Sequence, residues 1–415
     1  MSRLQVIVRT LGIQFLLFVV LMRLAPSVLS LSLLILMASE TGEVTLGGYA
    51  AGIAALSFAV MMPLYSAVAR KFGHTPVLVT TGILNIPMMA ILLWQFLQFS
   101  NKAFQQGIVG VLVAAALAGA TIPPMAAMMR SYWSREYATS KDRKMLNSAI
   151  ALESMLEVLA LPLAAVLTGA ISLFASPLYA VLALIAINML GVLFAISRIN
   201  KPLFMPIHSS RLSKFDDDAV HGDHRGFIWL PLLGAVCIGA IIGATQSSLA
   251  AYTLNADDVE TVGFYIGAMG LSSATVGALL LAGRVRIAGW QSWLLSAVAL
   301  IALTMMLSIP VTNFGVALAL LALGAGIGAA TVCMESVTTA ISARGYLELA
   351  LTFSQSTLTV GLAIGLVWGA LVGEGFGFQA AMLIPLIAAT IFFIVGHFYG
   401  YLWRRTYEVN LRNFV

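Results

Sequence analysis

Twelve apolar runs, each near the roughly 20 residues that a helix needs to cross a bilayer, divide this chain almost from end to end. They fall near Leu11–Met37, Leu46–Ala69, Pro76–Phe99, Gly107–Met129, Ser148–Ile171, Pro177–Ile196, Phe227–Tyr252, Val262–Gly283, Trp290–Ile309, Phe314–Ala340, Leu347–Val372 and Phe378–Trp403. Hydrocarbon offers no hydrogen-bond partner, so each run must satisfy its own backbone. The runs are continuous and lack the alternating polarity of barrel strands, which predicts an all-α integral membrane protein. The first run is too long, and has the wrong flanks, for a cleaved signal peptide. Composition agrees, because only 9% of the 415 residues are charged and 60% are hydrophobic. A soluble domain carries about 25% charged residues.

Basic residues set the orientation, since Lys and Arg stay on the cytoplasmic side during insertion. With the N-terminus inside, Lys102 alone among the 22 Lys and Arg falls outside, and Arg23 alone falls within the bilayer. This segregation predicts a multi-pass protein of the cell inner (plasma) membrane with both termini cytoplasmic. The net charge of +5 and the pI near 9.3 are then signals of topology, and no nucleic acid partner is expected.

The longest polar stretch, 198–226, reads as a cytoplasmic connection between an N-terminal six-helix bundle, 1–197, and a C-terminal one, 227–415. His221, Asp223 and His224 in that stretch lack the spacing of a zinc site, so neither metal nor cofactor is expected. The outer connections are short, and no phosphate-binding loop or His-Glu-x-x-His motif occurs. The expected partners are a small-molecule substrate, protons and the lipid bilayer, with the chain acting as a monomer.

The two halves echo one another, as in many transporters. "GYAAGIAALS" from Gly48 matches "GFYIGAMGLS" from Gly263, and "ESMLEV" from Glu153 matches "QSTLTV" from Gln355. Weaker echoes surround Gly119 and Gly326. Glycines such as Gly52 and Gly267 let helix backbones approach and slide.

With twelve spans, a central cytoplasmic connection and repeated halves, the chain resembles the major facilitator superfamily over nearly its whole length. The family's loop after the second span, Gly-x-Leu-Ala-Asp-Arg-x-Gly, corresponds to "SAVARKFG" from Ser66. Lys71 and Gly73 match, whereas Ser66 and Arg70 stand where the family has Gly and Asp. Drug and proton antiporters of the family carry a Gly-Pro at the end of a fifth-span motif, where this chain has Leu161–Pro162. The resemblance implies two pseudo-symmetric six-helix bundles that work by alternating access. It points to efflux of small amphiphilic or drug-like compounds against protons. Uptake by proton symport, or flipping of a lipid-linked molecule, is a second reading.

Two charges inside the N-terminal half carry the chemistry. Arg23 lies about 20 Å into span one and Glu157 about 18 Å into span five, at 1.5 Å per residue, with Glu153 one turn away on the same face. A lone charge there costs at least about 2.5 kcal/mol, so Arg23 is expected to face one of the two carboxylates. Such a pair either holds the half together or couples proton and substrate, because burial raises a carboxyl pKa and a neighbouring arginine lowers it. Glu157 is the better-placed coupling group by depth. In the C-terminal half, Gln246, Ser354, Gln355 and Thr359 are the expected cavity residues, since neutral groups orient a substrate in an apolar pocket. Arg70, Lys71, Arg284, Arg286, Glu335 and Glu348 lie near cytoplasmic helix ends and are expected to form an inner gate. A membrane-embedded transferase using Glu153 and Glu157 is the non-transporter alternative, but the short connections offer no donor site. The chain is therefore not expected to be an enzyme.

Overall fold

The computed structural model describes residues 13–100, 107–126, 128–129, 143–197, 227–256, 258–282, 289–309, 312–342 and 347–412. Within these, the side chains of 13–16, 70, 100, 143–152, 154–155, 157–158, 195, 197, 282, 347–348 and 406–412 lie outside the description.

Twelve helices of 13 residues or more make up the described chain. They are α1 Ile13–Thr41, α2 Val44–Phe72, α3 His74–Ser100, α4 Ile108–Ala120, α5 Arg143–Phe174, α6 Pro177–Ser197, α7 Trp229–Leu254, α8 Val262–Ala282, α9 Gly289–Leu307, α10 Asn313–Ile341, α11 Leu347–Phe376 and α12 Leu383–Arg412. Ten are long and apolar enough to cross a membrane; α4 and the apolar part of α5 are shorter. The expected continuous run Gly107–Met129 is corrected here, because α4 stops at Ala120. Pro123 and Pro124 have no N–H for the carbonyls one turn back and disfavour helix in the residue before them. Helical bonding resumes with Met128 N–H to the Pro124 carbonyl at 3.2 Å.

The helices sort into an inner and an outer set. In α1 and α7, 78% of the most apolar window is buried, against 33–39% in α3, α6, α9 and α12. The outer set turns Trp94, Leu190, Leu295 and Ile394 outward, an arrangement that only hydrocarbon makes favourable. The protein is a multi-pass membrane protein.

Six helices precede residues 198–226 and six follow, and the two sets meet along α2–α11 and α5–α8. Advancing the chain by six helices exchanges these two contacts, so they are related by the repeat. Gly52 and Gly267 lie in them as equivalents. A methyl at Gly52 would fall 2.8 Å from Val367 of α11, and one at Gly267 would fall 2.5 Å from Val166 of α5. A second repeated contact refines the alignment. Gly119 of α4 packs on the Ala54 carbonyl of α2, and Gly324 of α10 packs on the Met269 carbonyl of α8. Gly324 is therefore the partner of Gly119, two residues before the Gly326 suggested by the sequence.

One pair of equivalents is unlike. In the C-terminal half, Gly239 and Gly243 of α7 face the carbonyls of Leu358 and Leu362, while Gly361 and Gly365 of α11 face those of Val236 and Ala240. The two backbones touch along the crossing, as glycines at four-residue spacing allow. The equivalent pair in the N-terminal half, α1 and α5, is joined by charge.

Candidate functional site

Arg23 of α1 and Glu153 of α5 meet at one level of the N-terminal half. Arg23 Nη2 forms an ion pair with Glu153 Oε1, and Nη1 donates to the Glu153 backbone carbonyl at 3.2 Å. Both side chains are buried, at 2% and 1% exposure. Removing either partner from so dry a site strands the other charge. The Glu157 side chain, expected to be the better-placed coupling group, lies outside the described residues; the pair seen is with Glu153.

Arg23 borders a cavity of about 180 Å³ between the two halves, which Glu153 does not line. The N-terminal half contributes Met22, Arg23 and Ser27 from α1 and Phe58 and Met62 from α2. The proline-broken segment after α4 adds Ile122–Met125. From the C-terminal half come Ile327, Thr331 and Glu335 of α10, together with Gln355, Leu358, Thr359 and Leu362 of α11. The α10 residues are spaced by four, which puts them on one helical face.

The cavity runs from the middle of the bundle toward the end where α1 begins and α12 ends. At the opposite end the halves are in contact. There, Thr45 N–H at the start of α2 donates to Glu374 Oε2 of α11 at 2.7 Å, and Gly263 at the start of α8 meets Gly169 of α5 backbone to backbone.

No protein-family model matches the sequence, and no curated protein matches it. A solved structure does match the fold. The human organic anion transporter MFSD10 (TETRAN) superposes with a TM-score of 0.60, covering 91% of this chain and 98% of its own, at 16% sequence identity. The chain has the fold of the major facilitator superfamily.

Of the expected cavity residues, Gln355 and Thr359 line the cavity, whereas Gln246 and Ser354 do not. Ser354 is buried. Gln246 sits one turn beyond the lining residue Ile242 on the same face of α7, and its Oε1 has no hydrogen-bond partner among the described residues. Among the expected gate residues, Glu335 lines the cavity, on the face of α10 that carries Ile327 and Thr331. Lys71 is exposed and lies over the neighbouring Phe72 ring at 5.3 Å. Arg284 and Arg286, and the side chains of Arg70 and Glu348, fall outside the described residues.

Two residues at the contact between halves escaped sequence reasoning. Ser356 Oγ of α11 donates to the Ala59 carbonyl of α2 at 2.7 Å. Pro63 was the available signal for it, because a proline frees the carbonyl four residues earlier. Glu374 had no such signal.

Proposed function

We propose that the protein is a proton-coupled secondary transporter that exports small amphiphilic compounds by alternating access. The observation that carries this reading is the buried Arg23–Glu153 pair set against a cavity between two repeated halves. Intramembrane charges mark ion and substrate pathways. A carboxylate that gains and loses an arginine changes its proton affinity as the halves move. Glu153, with Glu157 four residues on, is the proton-coupling group; Gln355 and Thr359 orient the substrate. The moving bodies are residues 1–197 and 227–415, joined by 198–226. The cavity end faces the cytoplasm of the inner (plasma) membrane, where the excess of Lys and Arg belongs, and Arg70, Lys71, Arg284, Arg286 and Glu348 form the gate there. The chain acts as a monomer.

The test uses purified protein in liposomes holding a pH-sensitive dye. Amphiphilic compounds added to one side should drive proton movement, and Glu153→Gln should abolish it while the protein stays folded. Proton movement that survives Glu153→Gln would remove this residue from the coupling step. A chemically altered compound would instead favour an enzyme.

A further inference from the structure

We infer that Asn85 is a positioning residue of the cavity: through the last turn of α4 it fixes where the proline-broken wall stands, and with it the room an occupant has. This rests on the transporter reading above, which makes the cavity the substrate site. α4 runs for 13 residues, about 20 Å, so it ends inside a hydrocarbon layer about 30 Å thick. Non-helical backbone is tolerated at that depth only where it is buried in protein or lines a cavity. Ile122–Met125 line the cavity.

The break creates a demand for donors that other helices meet. Pro123 and Pro124 have no N–H for the Gly119 and Ala120 carbonyls. Ile122 N–H turns to Gly119 at 3.3 Å, which takes it from Ala118. Asn85 Nδ2 of α3 donates to the Ala118 carbonyl and to Thr121 Oγ1, each at 2.9 Å, and the Tyr65 hydroxyl of α2 donates to the Ala120 carbonyl at 2.7 Å. A carbonyl only accepts, so the Asn85 amide must turn its nitrogen toward α4 and its oxygen away. Asn188 of α6 donates Nδ2 to Asn85 Oδ1 at 2.6 Å. Its own Oδ1 then has no hydrogen-bond partner among the described residues, although both asparagines are fully buried.

Packing alone does not call for this ladder, because the other half does without it. Gly326 of α10 is the equivalent of Thr121 on the Gly119–Gly324 alignment, and a methyl there would fall 2.8 Å from Leu303 and 3.2 Å from Leu300 of α9. That contact is apolar, and α10 runs unbroken to Ile341. The ladder goes with the break. It includes an unpaired buried oxygen, which is unfavourable and which two leucines would avoid; what it secures is the end of α4 beside the wall. Gly82, three residues before Asn85, brings α3 against the same wall, since a methyl there would meet Val192 of α6 and Pro123.

The test uses the full chain in lipid nanodiscs, with Cys237→Ala and Cys333→Ala and one new thiol at a time, and N-ethylmaleimide as the probe. Met125→Cys reports the broken wall, and Met62→Cys reports the α2 wall of the same cavity. Asn85→Leu should change the labelling rate at Met125→Cys at least fivefold and leave Met62→Cys within twofold, whereas a general loosening would move both. Asn85→Gln, which keeps the donor, should recover part of the change. Asn85→Leu also strands the Asn188 donor and should lower the melting temperature; adding Asn188→Leu should restore the temperature but not the labelling rate. Unchanged labelling at Met125→Cys, equal change at both thiols, or recovery of the rate in the double variant overturns the assignment. Liposome flux keeps the two readings apart. Altered labelling in a protein that moves no protons with any compound would sink the transporter reading and support this assignment, while proton-coupled flux with unaltered labelling would sink this assignment and leave transport standing.

Discussion

Ser356 of α11 gives α2 the hydrogen bond that Pro63 takes away. Its hydroxyl donates to the Ala59 carbonyl at 2.7 Å, four residues before a proline that has no N–H to offer. A bond that belongs inside one helix has been replaced by a bond between the two halves.

Ser356→Ala should therefore leave a buried carbonyl unsatisfied and lower stability by about 1–3 kcal/mol, read as a fall in melting temperature. Adding Pro63→Ala restores an N–H within α2, and the double variant should regain most of the loss. If it regains nothing, the Ala59 carbonyl is not the cause.

Arg23→Ala alone, or Glu153→Gln alone, should cost more, about 3–5 kcal/mol for breaking a buried pair. The double variant should recover much of that stability, because neither charge is stranded. On the coupling reading it still fails to link substrate movement to protons. Recovery of both stability and pH-driven transport in the double variant would reduce the pair to a structural tie.

At the opposite end of the bundle, Glu43 precedes α2 without capping it by its side chain, and Glu374 of the other half accepts the Thr45 N–H instead. Glu374→Ala should remove about 1 kcal/mol of capping from the state in which this end is closed. Its population relative to the open state should then fall several-fold. Spin labels at Gly42 and Gly375 should report a larger share of long distances; an unchanged distribution would mean that the contact does not hold this end shut.

Glycines at the two kinds of crossing should respond differently. At Gly365 a methyl would lie 2.6 Å from the Ala244 backbone nitrogen within its own half, so Gly365→Leu should lose folded protein. Gly52 faces Val367 across the contact between halves, where Gly52→Ala should reduce transport more than melting temperature. Parallel losses at both positions would make Gly52 a packing residue only.

Much of this architecture is written in patterns that operate one helix at a time. Run length, Lys and Arg placement and the Gly48/Gly263 echo each need no knowledge of neighbours. What escaped depends on rotation about helix axes and on where helices end. Glu335 is legible as a residue near the end of its span, but its place on the cavity-facing stripe of α10 with Ile327 and Thr331 is not. Ser354 has the right polarity but the wrong azimuth, while Gln246 has the right face of α7 and lies one turn past its lining residue Ile242. Depth favours Glu157 as the coupling group and leaves the partner of Arg23 open between it and Glu153, which share a face.

The backbone contact of α11 with α7 makes α11 a stiff beam, because a crossing without intervening side chains leaves nothing soft to deform. Gln355 reaches the cavity near one end of that beam, and Glu374 touches α2 nineteen residues further along, about 28 Å at 1.5 Å per residue. Tilting one end swings the other. A compound that pushes on Gln355 thus has a mechanical linkage to the far closure, with Ser356 beside the load as its fulcrum.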